Sequence, residues 1–370
     1  MAIENSTSFI LNTIEADGNR GGWQASGSFA NDQDEATYGR RTDVYFLAEG
    51  DGDWESDPVL AMRGSILPQS VRFDIRQSGT ELSVATSDTF LQTAGLQGIY
   101  NIDLDPITNP HQYNGMRLGS IVKHIIEQHS NISSTANVQN TDGTFSANPI
   151  GGWVDTSNID EIFTTKVDVL TVRQSNSIWQ TLKAIAKNEF YVVYMSKADE
   201  FVYQPHPVFN TTLPSIVLDI DNDIMVGRPE VEFRDPVDMD QVTLAALTDD
   251  GAILRSSFPT NITASGRRKN ITNLRCNDQN RLDTLAQRAF SFESRLYNMR
   301  LSMAGPWGLY LELFDRVSIT YSGTARNGVS IAFSAEPFFI DKIRVSRVGN
   351  FGAITELGLQ QENLVGTLYA

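Results

Sequence analysis

Phe339-Ile340-Asp341-Lys342-Ile343-Arg344-Val345-Ser346, the turn Gly349-Asn350-Phe351-Gly352, and the return Ile354-Thr355-Glu356-Leu357-Gly358-Leu359 decide how this chain is read. Apolar and polar residues alternate at period two on both sides of a glycine-bounded turn. That pattern predicts an antiparallel ribbon with one face buried. A weaker echo lies near the other end. There Val59-Leu60-Ala61-Met62-Arg63-Gly64-Ser65-Ile66 leads into Ser70-Val71-Arg72-Phe73-Asp74-Ile75-Arg76, and Gln77-Ser78-Gly79-Thr80 turns the chain into Glu81-Leu82-Ser83-Val84-Ala85-Thr86. Two such units, about residues 59–86 and 338–359, suggest a structural part built by duplication. The bland alternative is that any two amphipathic hairpins look alike.

Between the ribbons the period changes. Leu118, Ile121, Val122, Ile125 and Ile126 form a 3.6-period stripe within Met116 to His129, which predicts a helix. Asn131 to Gly152 is rich in Ser, Thr, Asn and Gly and reads as a long exposed loop. Ser177 and Gln180 have capping-box spacing ahead of Ile178, Leu182, Ile185 and Ala186, so a second helix starts there. A strand from Glu189 to Met195, a turn over Ser196 to Glu200 and a strand Phe201-Val202-Tyr203-Gln204 follow, closed by Pro205 and Pro207. Leu282, Leu285, Ala286, Ala289 and Phe290 predict a third helix over about 280–297. Strands return at Met299-Leu301-Met303, Leu309 to Phe314 and Val317-Ile319-Tyr321.

The chain has 370 residues, enough for two to four domains, and its 41% hydrophobic and 20% charged residues can bury an ordinary core. The longest apolar run, Phe190-Tyr191-Val192-Val193-Tyr194-Met195, is far short of the ~20 residues a membrane helix needs. Met1-Ala2-Ile3-Glu4-Asn5-Ser6 has neither a basic region nor an apolar core, so the expectation is no secretory signal and a soluble chain made in the cytosol. A single cysteine, Cys276, rules out an internal disulfide framework and carries no catalytic-thiol motif. With a formal net charge of −16, stable binding to DNA is not expected. The small basic clusters Arg40-Arg41 and Arg267-Arg268-Lys269 read as solubilising loop charges.

The chemistry-bearing residues do not assemble into a known site. His124 and His129 are five apart, off the i, i+4 spacing that holds zinc, and His111 and His206 stand alone; all four read as solvent-facing or cap residues. Asp219, Asp221, Asp223 and Glu230 match four places of a calcium loop. Ile224, however, occupies the place of the obligatory glycine, and Pro229 precedes the glutamate. Asp51, Asp53, Glu55 and Asp57 read as a solvated turn. No pair of carboxylates can be singled out for glycoside hydrolysis. Trp153, Trp179, Trp307 and Tyr310 would suit a sugar platform, although Trp179, on a helix, reads as a packing residue. The expectation is therefore no enzyme, no metal and no cofactor.

In this order, the elements resemble the tail hub, or baseplate hub, proteins of tailed bacteriophages and related contractile injection systems, including the late-control-protein-D family. The resemblance is carried by three parts. The first is Leu60-Ala61-Met62-Arg63-Gly64-Ser65-Ile66 with its hairpin to Ser87-Asp88. The second is Ser177-Ile178-Trp179-Gln180-Thr181-Leu182-Lys183-Ala184-Ile185-Ala186 with the hairpin to Pro205. The third is the helix Leu282 to Phe290, then Leu301, then Leu313-Phe314-Asp315-Arg316-Val317-Ser318-Ile319 and the closing hairpin. In that family an apolar residue and Gly-Asp-x-Val often precede the final barrel; here Phe314 stands in the glycine's place, which alters a turn and keeps the strand.

The resemblance implies an α+β, multidomain chain with two tube-like antiparallel β-barrel domains and inserted α/β elements. The expected division is 1–115 for the first barrel's first part, 116–205 for a helix and helix-hairpin insert, and 206–265 for a return to the first barrel with connecting strands. A connecting helix would take 266–298 and the second barrel 299–370. Val317, Ile319 and Tyr321 on one strand face, and Ile343 and Val345 on another, are expected inside the second barrel. The implied role is a homotrimer whose six barrels make a pseudo-sixfold ring between a hexameric tail tube, or distal tail protein, and a central trimeric spike. Baseplate wedge or tail-tip proteins would surround it, and DNA would cross its lumen without stable binding. The implied place is the virion tail tip or baseplate, assembled in the host cytoplasm without membrane insertion. A host-surface glycan-binding tail protein and, further off, a cell-wall hydrolase are the competing readings.

Overall fold

The computed structural model describes residues 9–29, 41–46, 59–67, 72–74, 79–93, 100–102, 116–129, 137–139, 145–147, 154–167, 170–172, 177–207, 214, 216–220, 226, 229–233, 239–248, 250–260, 267–293, 297–324, 330–347 and 352–362. The chain opens with β1 (Phe9–Asp17), β2 (Gly22–Phe29), β3 (Arg41–Phe46), β4 (Val59–Ile66), β5 (Arg72–Asp74), β6 (Gly79–Ala85) and α1 (Asp88–Thr93). An insert follows, with β7 (Tyr100–Ile102), β8 (Met116–Arg117), α2 (Leu118–His129), β9 (Asn137–Gln139), β10 (Phe145–Ala147), β11 (Lys166–Val167) and β12 (Leu170–Val172). Its second half is α3 (Ile178–Glu189), β13 (Tyr191–Met195) and β14 (Phe201–Pro205). Next come β15 (Ile216–Asp219), β16 (Glu230–Phe233), β17 (Met239–Leu247), β18 (Ile253–Phe258), β19 (Arg267–Arg275) and α4 (Gln279–Glu293). The chain closes with β20 (Tyr297–Ala304), a 3-10 turn (Trp307–Tyr310), β21 (Arg316–Thr324), β22 (Ser330–Arg347) and β23 (Ala353–Gln361). This is a β-rich α+β protein.

One twelve-stranded sheet dominates, in the order β16-β20-β23-β22-β1-β2-β6-β4-β3, with β21 and β15 branching from β22 and β5 from β6. The first and last thirds of the chain meet where β1 pairs antiparallel with β22, from Thr13 opposite Ser346 to Asp17 opposite Lys342. Alternation then does its usual work. Ile14, Ala16, Trp23 and Val84 from the first half and Val317, Ile319, Ile343, Val345 and Leu357 from the second turn into a single core. Among the described residues neither half closes on itself as a separate barrel, and the core is shared rather than divided at residue 299.

The three helices expected from the sequence, α2, α3 and α4, fold where their stripes place them. In α3, Ser177 Oγ accepts the Gln180 N–H, and Phe190, in the left-handed region at φ 55°, returns its N–H to Ala186 and Lys187 at the other end. Its buried face, Ile178, Leu182, Ile185 and Ala186, packs with Ile121, Val122, Ile125 and Ile126 of α2 in a second core. Full burial contributes about 1.5–3 kcal/mol for each leucine or isoleucine, enough to hold helices too short to persist alone. A third core forms where Leu282, Leu285, Ala286, Ala289 and Phe290 of α4 cover Val242, Leu244, Ala246 and Leu274 of the β18-β17-β19 sheet.

Several expectations change. The strands between 206 and 265 do not return to the first half: β15 pairs with β21, β16 pairs with β20, and β17 and β18 build their own sheet with β19. The α4 region is accordingly half of a compact strand-and-helix unit, not a connector. Tyr100–Ile102, expected in the first barrel, pairs with β12 of the insert. Alternation fixes a strand's face but says nothing of its partner. Leu309 to Phe314 is not a strand, because Gly305 at φ +106° and Pro306 turn the chain into the 3-10 turn. Glu189 ends α3 rather than starting a strand, and α4 stops at Glu293. Part of the Asn131 to Gly152 stretch forms the β9–β10 hairpin. Arg267-Arg268-Lys269 opens strand β19 instead of a loop. Arg40, His111, Trp153, Asp221, Asp223 and the Asp51 to Asp57 cluster lie outside the described residues.

Candidate functional site: a hairpin wedged between two cores

The run Tyr191–Met195 has no alternation because both of its faces are covered. Val192, Tyr194 and Val202 of the β13–β14 hairpin belong to the core of the large sheet. Tyr191, Val193, Met195, Phe201 and Tyr203 belong to the helical core. The hairpin's ladder is with itself, Tyr191 to Met195 opposite Pro205 to Phe201, and beyond it Phe201 and Tyr203 make single main-chain bonds to Asp155, Asn158 and Asp160, so side chains and a few main-chain bonds set its place. It is the joint of the molecule.

Polar contacts fasten the joint at its turn. Glu312, just after the 3-10 turn, receives the Trp23 indole N–H at 2.7 Å and its neighbour Leu313 N–H at 2.9 Å on Oε1, and the Lys197 N–H at 2.8 Å on Oε2. Trp23 belongs to the first half, Lys197 to the hairpin turn and Glu312 to the last third. Lys197 Nζ donates to the Leu309 carbonyl at 2.9 Å, and the Arg63 N–H to the Lys197 carbonyl at 2.6 Å. Enclosure of the Glu312 carboxylate raises its pKa from 4.5 to about 7, against the pull of these donors and of the Lys197 charge. Beside it Asp199, in the left-handed region at φ 60°, accepts the Ser87 N–H and hydroxyl, both at 2.7 Å.

Close backbone approach completes the contact. Gly21, at φ +86°, puts its carbonyl 2.8 Å from the Met195 N–H, and a side chain there would strike Trp179. Trp179, buried as its helical place suggests, donates its indole N–H to the Arg20 carbonyl at 3.0 Å and meets Phe201 edge-on. On the far side His206 stands edge-on to Phe292, Phe314 and Phe339, with ring centroids 5.3, 5.9 and 4.6 Å away. The expected solvent-facing histidine is therefore 7% exposed, because three phenylalanine rings enclose it. Phe314 takes φ +65°, the conformation a glycine would hold without strain, and packs on Tyr194 at 5.1 Å.

The core positions singled out from the sequence belong to the large-sheet core that the hairpin enters. Val317, Ile319 and Ile343 are fully buried and Val345 nearly so, while Tyr321 is partly buried beside them after a bulge between Ile319 and Tyr321. Sequence reasoning missed Glu312, although one charge inside Leu309-Tyr310-Leu311-Glu312-Leu313-Phe314 signals a carboxylate that must find donors. Cys276 is buried, its thiol pKa raised mainly by burial. Among the described residues no three His, Cys, Asp or Glu side chains gather as metal ligands, and no helix is long and apolar enough to cross a membrane. The acceptor sites of Glu312 face indole and main-chain donors. Its chemistry is that of a fastener between segments.

No protein-family model matches the chain, and no curated protein sequence does. Solved structures do. The tail protein from Neisseria meningitidis MC58 superposes with a TM-score of 0.58 at 14% identity, over 96% of this chain and 93% of that one. The 43 kDa tail protein of prophage MuSo2 from Shewanella oneidensis gives 0.53 at 13% identity, over 96% and 95%. Prophage tail protein gp18 from Listeria monocytogenes EGD-e gives 0.52 at 12%, over 98% and 91%. The chain thus has the fold of phage tail proteins along nearly its whole length. The likeness is to that fold rather than to the late-control-protein-D family in particular.

Proposed function

We propose that this chain is the structural hub of a phage tail tip or baseplate: a homotrimer forming a pseudo-sixfold ring that joins the hexameric tail tube to the trimeric spike and lets DNA pass. The observation that carries the reading is the β1–β22 pairing, which fuses the two halves of the chain into one sheet with one core. A rigid part presenting two related β-halves is what a threefold ring needs in order to meet sixfold and threefold neighbours. Its barrels would be completed around the ring, with the hairpin joint holding the insert at a fixed angle. The net charge of −16 supports a passage that repels phosphate. The tail proteins sharing the fold support a place in the virion tail. Light scattering and negative-stain imaging of the purified chain test the reading. Trimeric rings are expected, and a monomer at micromolar concentration, with or without tube and spike proteins, overturns it.

One observation favours a second reading, a glycan-gripping tail protein. Trp307 and Tyr310 are 51% and 52% exposed with ring centroids 6.5 Å apart. Saccharide binding lost in Trp307→Ala, with the ring absent, would select it.

A further inference from the structure

The β18-β17-β19 sheet has two faces, and α4 covers only one. On the other, Thr243 and Ser257 share a hydroxyl hydrogen bond of 2.9 Å, Ala245 lies opposite Arg255, and Leu247 lies opposite Ile253. Arg268 and Asn270, exposed on β19, take the same face through their parallel register with Gln241 and Thr243. The Leu247–Ile253 pair is unusual for a surface, since the two aliphatic side chains are 40% and 62% exposed directly across from each other. Such a pair ringed by polar residues has the form of an interface anchor.

The charge on this unit opposes that of the molecule. Residues 239–275 hold Arg255, Arg267, Arg268, Lys269 and Arg275 against Asp240, Asp249 and Asp250, a balance of +2, which leaves −18 for the rest of a chain whose total is −16. Lys269 is turned to the helix side, 2.6 Å from Glu293, so Arg255 and Arg268 supply the outward charge. The matching surface lies at one end of the large sheet. There β16 is the last strand among the described residues, Val231 packs inward, and Glu230 and Glu232 are exposed. Glu230 is held only at 3.9 Å from an equally exposed Arg300.

We propose that the outward β18-β17-β19 face docks on the Glu230–Glu232 edge of a second copy of this chain. The Leu247–Ile253 pair is the apolar anchor, and Arg255 and Arg268 pair with the two glutamates. Face and edge are different patches of one chain, so the contact runs head to tail, the kind a closed ring requires and a twofold dimer does not. Opposite charge fixes the register and suppresses the wrong contact of edge on edge. The proposal rests on the ring reading above and names its contact.

Sedimentation velocity on the full chain tests it with exposed residues only. Arg255→Glu with Arg268→Glu, and separately Glu230→Arg with Glu232→Arg, should each weaken assembly at least about tenfold while leaving the melting temperature within about 2 °C. The quadruple variant should return to within about threefold of wild type. Ile253→Cys supplies a second readout, because Cys276 is only 2% exposed. Maleimide labelling of the new thiol should be fast in dilute monomer and slowed about tenfold or more in the assembled protein. Wild-type rings with undisturbed double variants, or no recovery in the quadruple, overturn the contact and leave the ring reading standing. A wild-type monomer overturns both. Unchanged assembly with lost retention of DNA on a filter assigns the face to nucleic acid and overturns the proposal.

Discussion

The β13–β14 and β22–β23 hairpins solve the same problem in opposite ways. The first forms a ladder with itself and adds only a short parallel contact from Tyr203 to Asn158 and Asp160, and both of its faces are buried, one in each of two cores. The second sits inside a twelve-stranded sheet. Its β22 strand pairs with β21, β23 and β1, and its exposure alternates along much of its length. One hairpin is held by two buried faces and a few main-chain bonds, the other by a ladder and one face. The sequence difference behind this is small: an unbroken apolar run in one, alternation from Lys342 to Arg347 and along the return strand in the other. It places the first at the joint and the second in the frame.

The frame should break hardest. Ile319 is fully buried in the core that serves both halves. Ile319→Asp puts an unpaired charge there, at a cost of several kcal/mol. Because Ile14 and Trp23 share that core, the first half should unfold with the last third. Urea titration of the variant should show the sheet lost in one step, while α2 and α3, which have their own core, retain helical circular dichroism. Loss of sheet from residue 299 onward alone would restore the picture of two independent barrels. Normal tails assembled from this variant would remove the strand from the core altogether.

The joint should break at its fastener, and in a pH-dependent way. Glu312→Gln must turn an amide N–H₂ toward either Lys197 N–H or the Trp23 and Leu313 donors, at a cost of about 2–3 kcal/mol. Glu312 has a folded pKa of about 7, above its ordinary 4.5. A carboxyl raised in this way gives its full contribution below about 4.5 and loses it as pH climbs through about 7. Wild-type stability should therefore fall across that window by on the order of 3 kcal/mol, and the glutamine variant should show a flatter profile. Parallel profiles would move the titration elsewhere.

Phe314 tests the one departure from the pattern of the family that the sequence resembles. Phe314→Gly releases about 1 kcal/mol of left-handed strain but removes a ring stacked on Phe339 and packed on Tyr194 and His206. A net loss of about 1–2 kcal/mol is expected by thermal unfolding. A gain would mean that the phenylalanine is tolerated rather than used.

How much of this was legible follows from what each signal encodes. The stripe Leu118 to Ile126, the Ser177 cap and the alternation of Ile343 and Val345 depend on neighbours a few residues away, and they fold as read. The echo between 59–86 and 338–359 was legible as two ribbons only. The β5–β6 hairpin holds three register pairs, Arg72–Asp74 against Glu81–Gly79, whereas β22 and β23 pair from Phe338 to Arg347. Which strands pair, and that β15 and β16 join the last third, is decided by residues a hundred positions away. The joint was illegible for the same reason: Trp23, Lys197 and Glu312 are unremarkable singly, and only the fold makes them one site.

The finest contrast lies within the joint, between two tyrosines whose ring centroids are 4.9 Å apart. Tyr191 donates its hydroxyl to Asp160 Oδ2 at 2.7 Å. The fully buried hydroxyl of Tyr203 has no hydrogen-bond partner among the described residues. Deleting the same atom should therefore have opposite effects. Tyr191→Phe leaves a carboxylate short of a donor and should cost about 1 kcal/mol, whereas Tyr203→Phe removes an unmet desolvation cost and should add up to about 1 kcal/mol. Both rings stay in place, so packing cancels and the hydroxyl alone is compared. Thermal melts of the two variants at one pH provide the check. A Tyr203→Phe variant less stable than wild type would mean that this hydroxyl is satisfied, and that the hairpin's helical face is held by polar contacts as well as by apolar packing.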